Sequence, residues 1–510
     1  MSLKTAEFFQ DNMILQREKE VRIWGTAEPE CPVTIRIQGK ECVTESDEHG
    51  RWEGTISGLT ASVSEDLEIC SGTETIVLKD VAIGEVWLAG GQSNMEFPMY
   101  YDKDYEAALH FCENPMIRIY DVPKAASEEH FERKDYSLFG FWRKANRDNL
   151  KYFSAVAWFF ARSLQEDLKV PVGIIGCNWD GSRSACWMDR ETLERCGAVW
   201  LREYEEALEG IEDPEQAKEA YFSSPMDVSR PFDNEFKVRM MRGLSFEELT
   251  ELFASFADGG PLTPAIGPWH EWRPLGLYEH MLKTVFPFTF RGVIYYQGES
   301  DENHPEIYAD MLEGLIACWR KGFRDEDLPF LMTQLAPLKE VFGNGGRYFP
   351  VLREQQQIAA DRISNVYLAS ISDAGHPFDI HPKRKKPVGE RLAVLARGHV
   401  YGENILCEAP CGIKMERDGD HLSILCSNAE GGLYLVGSSL NALSIETAEG
   451  KTLSEDEYTV SVMGDRIVIA MSAPHKNDAL RVRFAETPYY EVNLYNMAGL
   501  PMMPFELTAQ

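Results

Sequence analysis

Long apolar runs are missing from this chain of 510 residues. The longest, such as Val86-Trp87-Leu88-Ala89 and Val293-Ile294-Tyr295-Tyr296, are strand-sized. They fall far short of the ~20 residues a membrane helix needs, so no helical span is expected. Positive charge is scarce too: 51 Lys and Arg stand against 82 Asp and Glu, a formal net charge of −31. Binding nucleic acid requires a basic surface that releases counterions, so no nucleic-acid partner is expected. The one basic run, Lys383-Arg384-Lys385-Lys386, reads as a solvated approach to a helix rather than a targeting or anion patch. The eleven cysteines contain no C-x-x-C pair, which argues against a disulfide framework and predicts reduced, mostly buried thiols. Met1-Ser2-Leu3-Lys4-Thr5 has no charged segment followed by an apolar one. The expectation is a cytoplasmic protein, or a secreted or periplasmic one if a leader has been removed. Internal repeats and low-complexity tracts are absent as well.

What is present divides into three textures, and the length itself calls for two or three cores. Residues 1–80 alternate apolar and polar positions, as in Val21-Arg22-Ile23-Trp24 and Val33-Thr34-Ile35-Arg36-Ile37, with turn signals at Gln38-Gly39 and His49-Gly50. This predicts a small antiparallel β domain. Strand texture returns over 401–510, in Leu422–Leu425, Leu433–Val436 and Arg466–Ile469, forming a second β domain that is separate or packed with the first. Between them, over 81–400, short apolar strands alternate with amphipathic helices, the pattern of an α/β domain whose parallel sheet is covered on both faces. Five strands are expected at 85–89, 172–176, 292–296, 330–335 and 366–371, and helices at 154–168 and 307–321. An acidic, helix-prone stretch at about 191–270, including Arg202-Glu203-Tyr204-Glu205-Glu206 and Phe246-Glu247-Glu248-Leu249, reads as an insertion.

Ligands of an open parallel sheet bind beyond the carboxyl ends of its strands. The segments that follow the first three strands are therefore where chemistry is sought. Ser93 follows the first in Gly90-Gly91-Gln92-Ser93-Asn94-Met95. Met95, two residues on, rules out the Gly-x-Ser-x-Gly elbow of α/β-hydrolases. Asn178, Trp179, Gly181 and Arg183 follow the second strand, and Gln297 and Glu299 the third. Backbone N–H groups and an amide from these loops would meet around one developing oxyanion. After the last strand comes His376-Pro377-Phe378-Asp379-Ile380-His381-Pro382, in which His381 can take a serine proton near neutral pH with Asp379 as a nearby carboxylate.

Taken in order, several blocks resemble the sialate O-acetylesterases of the SGNH hydrolase superfamily. They are Gly91-Gln92-Ser93-Asn94-Met95, Trp179-Asp180-Gly181-Ser182, Trp187-Met188, Tyr296-Gln297-Gly298-Glu299-Ser300, Asp379-Ile380-His381-Pro382 and Gly389-Glu390-Arg391-Leu392-Ala393. The opening Asp11–Arg17 with Val21–Gly25, and the ending Asn493–Asn496 with Gly499-Leu500-Pro501, are similar too. The resemblance implies a three-layer SGNH-type domain with a five-stranded parallel sheet. It implies Ser93 as nucleophile, His381 as base, and the N–H groups of Ser93 and Gly181 with Gln297 as oxyanion donors. Where the family usually has Gly-Gly after the tryptophan, this chain has Asp180-Gly181. Where the superfamily often has aspartate three before the histidine, it has Phe378, so the third triad member is Asp379, Asp373 or a backbone carbonyl. Glu299 orders the nucleophile's surroundings or contacts substrate. No cofactor is expected.

The expected function is hydrolysis of acetyl esters on sugar hydroxyls, with sialic acid or an acetylated plant glycan such as xylan as carrier. Trp87, Trp179 and Trp187 suit stacking on a sugar, although core packing is the commoner fate of tryptophan, and Arg183 suits a sialate carboxylate. Two rivals remain: a metal-dependent hydrolase built on His376, Asp379 and His381, and a carbohydrate-binding protein without turnover.

Overall fold

The computed structural model describes residues 2–223, 265–340, 345–472 and 479–509, with 238–239, 241–243, 247–248 and 251. Its residues gather into two compact units, Met1–Ser300 with Asp310–Phe330, and Asp301–Ala309 with Leu331–Gln510. All eleven cysteines are free thiols, five buried and six partly buried.

The first unit opens with antiparallel strands. Pro32–Ile37 pairs with Lys40–Glu45 across Gln38 and Gly39, both in the left-handed region at φ 52° and 68°, the two-residue geometry that matches strand twist. Strand β1, Glu74–Gly91, then runs unbroken for 18 residues. Its first seven residues alternate between exposed and half-buried, whereas every residue from Val81 onward is buried. That change marks the passage from a strand with one wet face to one covered on both.

Helix α1 (Ser93–Glu96) follows directly, then β2 (Asn114–Asp121), β3 (Trp142–Ala145), α2 (Ala155–Leu168), β4 (Val172–Asn178) and β5 (Gly292–Tyr296). The sheet order here is β3-β2-β4-β1-β5, with β2, β4, β1 and β5 mutually parallel and β3 antiparallel at the edge. Asn178 and Tyr296 both register with Gly91, so three strand ends open at one level. Trp87 packs edge-on against Phe160 of α2, with centroids 5.1 Å apart. Gly90, three residues on, faces Trp319 of α3 (Tyr308–Phe323) so closely that a Cβ would lie 2.7 Å from its ring. Positions of opposite parity point to opposite faces of a strand, so helices cover the sheet on both sides. The strand β2 is not anticipated from the sequence, whereas α2 and α3 fall where the apolar spacing predicts them.

The foot of the sheet is pinned electrostatically. Glu85 is fully buried and accepts from Arg17 Nε at 2.5 Å, Arg291 Nε at 2.6 Å and Gln16 Nε2 at 3.1 Å. Removing both arginines would leave a buried charge unpaired, a loss on the order of 3–5 kcal/mol. The inserted stretch begins with helices Arg190–Cys196, Ala198–Glu209 and Pro214–Phe222. Most of its continuation, including Phe246 and Leu249 of the Phe246-Glu247-Glu248-Leu249 stretch, lies outside the described residues.

Strand β6 (Phe330–Thr333), whose first residue closes the first unit, and strand β7 (Val366–Ala369) of the second are shorter than their apolar runs. After α4 (Lys386–Leu395) the chain becomes antiparallel. One sheet runs Cys411–Asp418, His421–Ser427, Arg466–Met471, Tyr458–Met463, and another Leu443–Thr447, Leu480–Phe484, Phe505–Ala509. Their inward positions, among them Leu422, Ile424, Ile467, Ile469, Val482 and Phe484, make one apolar cluster.

Candidate active site

The turn after β1 is shaped by a glycine that nothing can replace. Gly91 has φ +135°, and a Cβ there would lie 2.1 Å from the Tyr296 carbonyl oxygen. The close approach lets the chain swing into α1, where the Gln92 carbonyl accepts from Met95 and Glu96 N–H, both at 2.9 Å. Ser93 is therefore the first residue of a helix, 4% exposed. Its N–H belongs to the set of donors that a helix leaves without an internal acceptor, and none occurs for it among the described residues. Ser154, the N-cap of α2, donates its hydroxyl to the Met95 carbonyl at 2.6 Å and fixes the short helix in place.

Two side chains brace this turn against the segment after β5. Gln92 Oε1 accepts from Gln297 Nε2 at 3.2 Å, Ser300 N at 3.3 Å and Gly298 N at 3.4 Å. Asn94 Nδ2 donates to Glu299 Oε1 at 2.5 Å. Glu299 thus ties α1 to the segment after β5. Gln297 is almost fully buried, and its carboxamide donates to Gln92 and to the Ser182 carbonyl, each at 3.2 Å. The residue expected to serve an oxyanion holds two turns together here.

The loop after β4 is stitched on either side of Gly181. Trp179 N–H reaches the Gly91 carbonyl at 3.2 Å, Asp180 N–H reaches Glu96 Oε2 at 2.8 Å, and Ser182 N–H reaches the Trp179 carbonyl at 3.3 Å. The Gly181 N–H between them has no acceptor among the described residues. Gly181 lies at φ +69°, and the indole of Trp272 occupies the space a Cβ would take, 2.7 Å from Nε1. Asp180 in place of glycine is thus accommodated, because the left-handed residue of the turn is Gly181 and not its neighbour.

The expected sugar platforms are corrected. Trp87, Trp179 and Trp187 are 0%, 2% and 0% exposed, so Trp179 is a packing residue, set edge-on to His130 at 5.6 Å. His130 is itself held by Ser127 at 3.2 Å and by Tyr221, whose hydroxyl donates to Glu271 at 2.6 Å. Trp272, which no sequence motif singles out, packs its indole over Gly181 and is partly exposed. Arg183 stacks on Trp200 with its guanidinium 4.6 Å from the ring centroid. Asn178 donates Nδ2 to the Ala89 carbonyl at 3.1 Å.

In the second unit, His381 is 7% exposed. Its backbone N–H donates to Asp379 Oδ1 at 2.9 Å, and Lys383 bonds both Asp379 Oδ2 and the His381 carbonyl at 3.0 Å. These contacts put the Asp379 carboxylate on the backbone of the histidine loop. Asp373, the other candidate orienter, is held bidentate by Arg391 at 2.6 and 2.9 Å, which also explains the arginine of the Gly389–Ala393 block. His376 Nδ1 accepts the Phe378 N–H at 3.2 Å. No group of three or more His, Cys, Asp or Glu suited to a metal occurs among the described residues, so His376, Asp379 and His381 do not form the cluster the metal reading needs. The basic run is only half solvated: Lys385 is 1% exposed and Lys383 is drawn inward by Asp379.

This geometry predicts how Asp379 acts. Asp379→Asn keeps an acceptor for the His381 N–H and should hold kcat within about tenfold of wild type, ~1.4 kcal/mol. Asp379→Ala removes the acceptor and should cost more. A loss beyond a hundredfold in Asp379→Asn, measured as steady-state acetate release, would instead make the carboxylate charge the essential feature.

Comparison with known proteins converges on one family. The family model described as carbohydrate esterase, sialic acid-specific acetylesterase, matches residues 257–395. Sialate O-acetylesterases of Mus musculus and Homo sapiens are 27% and 26% identical over 457 and 453 residues, covering 82% of this chain and 77% and 75% of theirs. A carbohydrate acetylesterase from Xanthomonas citri, solved by crystallography, superposes with a TM-score of 0.75 at 26% identity over 99% of both chains. The chain therefore resembles the sialate O-acetylesterases over most of its length, as its motifs suggest, and its mixed α/β fold is consistent with an SGNH-like core.

Proposed function

We propose that this protein is a carbohydrate O-acetylesterase, of the sialate O-acetylesterase kind, that hydrolyses acetyl esters on sugar hydroxyls through Ser93. It is a carboxylic ester hydrolase, and its substrate is an acetylated sugar. One observation supports the mechanism: the N–H groups of Ser93 and Gly181 have no acceptor among the described residues, whereas those of Asp180 and Ser182 on either side of Gly181 are both taken. Preorganised donors of this kind stabilise an oxyanion at no cost in reorganisation.

Ser93 Oγ attacks the acetyl carbonyl as His381 removes its proton. The tetrahedral oxyanion is held by the Ser93 and Gly181 N–H groups, with Gln297 bracing both turns and lending an N–H only by releasing Gln92 Oε1 or the Ser182 carbonyl. Collapse expels the sugar oxygen, which His381 protonates, and water activated by the same imidazole then frees acetate from the acetyl-serine. Trp272 takes the sugar-facing role first expected of Trp179, and Arg183, carried on Trp200, remains a candidate partner for a sialate carboxylate. The framework inferred for this chemistry is an SGNH-type domain over 81–400 with a five-stranded parallel sheet, flanked by β domains at 1–80 and 401–510. Among the described residues no helix is long and apolar enough to cross a membrane.

The test is acetate release from a panel of O-acetylated sialic acids, acetylated xylo-oligosaccharides and aryl acetates. Turnover of acetylated sialic acids above the rest is the expected result. Faster turnover of the xylo-oligosaccharides would move the carrier to a plant glycan. Sugar binding with no acetate released would overturn the enzyme reading in favour of a binding protein.

A further inference from the structure

Beyond the carboxyl ends of β2 and β4 the first unit holds a small recess, lined by Glu96, Asp121, Lys124, Phe139, Tyr152 and Asn178 among others. Its volume is about 40 Å³. At roughly 10–15 Å³ for each water it has room for about three, which suits two hydroxyls or one hydroxymethyl group and excludes a sugar ring.

The polar groups of this recess are unequally committed. Lys124 Nζ pairs with Glu96 Oε1 at 2.6 Å, and Glu96 Oε2 holds the Asp180 N–H. The lysine charge is therefore already answered, and an anion would gain little there. The Asp121 carboxylate, by contrast, receives no hydrogen bond among the described residues, and its nearest cation, Arg143 Nη1, stands at 3.6 Å. It is seated there by the backbone: a Cβ on Gly176 of β4 would lie 2.5 Å from Asp121 Oδ1. Burial pushes this carboxyl up to about 6, against the pull of Arg143 and Lys124. Asn178 uses Nδ2 on the Ala89 carbonyl, and its Oδ1 has no donor among the described residues. Two acceptors thus line a wet recess without donors of their own, an arrangement that buried polar groups rarely keep unless water or a ligand completes it.

Position links the recess to the chemistry. Asn178 registers with Gly91, two residues before Ser93. With strands about 4.8 Å apart and two residues reaching about 7 Å at most, the two Cα atoms lie within about 12 Å. One monosaccharide can span that interval with its acetylated hydroxyl at Ser93.

We propose that this recess is a hydroxyl-binding subsite, in which Asp121 and Asn178 accept hydrogen bonds from free hydroxyls of the acetylated sugar. The proposal rests on the esterase reading above and adds the residues that select the carrier. Carboxylates and carboxamides recognise neutral polyols in this way because an ionised carboxylate is an acceptor only.

The experiment compares kcat/KM for an O-acetylated methyl glycoside with that for 4-nitrophenyl acetate, which has no hydroxyls to place, in wild type, Asp121→Ala and Asp121→Asn. The expected result is that Asp121→Ala lowers the ratio of sugar to aryl ester at least tenfold, through KM for the glycoside. Asp121→Asn, which keeps an acceptor, should lower it less, and it preserves the test should Asp121→Ala fail to fold. A ratio within threefold of wild type in a folded variant overturns the subsite while the esterase stands. Wild-type protein that cleaves neither ester overturns the esterase reading and the subsite with it.

Discussion

Ser93→Ala should lose about 10⁴-fold in kcat for acetate release, ~5.5 kcal/mol of transition-state stabilisation. The residual activity would reflect what the oxyanion donors and binding accomplish without a nucleophile. The fold should be untouched. Ser93 opens a helix whose cap is Gln92 and whose bracing comes from Gln92, Asn94 and Ser154, none of which needs the Ser93 hydroxyl, and alanine is a good helix former. A thermal midpoint within a few degrees of wild type should accompany the lost turnover. Retention of more than about one hundredth of the wild-type rate would end the acyl-serine mechanism.

Such a prediction could be written from the sequence because β1, β4 and β5 are buried on both faces and so advertise themselves as apolar runs. The rule that ligands sit past strand ends then leads to Ser93, Gly181 and Gln297. The same rule missed the recess because β2 does not look like a buried strand. Arg118 interrupts it, yet is 2% exposed and spends its guanidinium on the carbonyls of Asn12 at 2.9 Å and Asp80 at 2.5 Å. A charged residue serving as a hydrogen-bonded peg cannot be told in a sequence from one in water, and with β2 went Asp121 and Lys124 at its end. Trp179 failed for the converse reason: its place just after β4 suggested a sugar platform, but it is buried and His130 takes its edge. Lys385 belongs to the same class, since a basic run names four charges and not which of them turn inward.

What periodicity cannot supply is the state of individual hydrogen bonds. Gln297 and Gly181 carry the same expectation in the sequence, donors to one oxyanion. In the folded chain the amide of Gln297 is engaged with Gln92 and Ser182, whereas the Gly181 N–H sits between two occupied neighbours. The distinction arises from the Glu96 carboxylate reaching Asp180, a contact made by a residue three positions after Ser93 on the other side of its helix turn. Nothing in the spacing of the motifs encodes that reach, although Glu96 is adjacent to the block that carries the resemblance.

The second large effect is expected at His381. His381→Ala should cost nearly as much as Ser93→Ala, because the proton of the serine hydroxyl has no other assigned acceptor and an unactivated alcohol is a poor nucleophile. The loop should survive the change, since Asp379 holds the backbone N–H of position 381 and Lys383 its carbonyl, and both groups remain when the imidazole is gone. The decisive variant is the double one. If serine and histidine act as a unit, Ser93→Ala with His381→Ala should be no slower than the worse single variant within about threefold, because removing the second member of a broken pair removes nothing further. Independent roles would instead multiply, giving a loss near the product of the two and a rate below detection. Measuring acetate release by the three variants on one O-acetylated sugar distinguishes these outcomes, and a multiplicative loss would leave Ser93 in need of a different base.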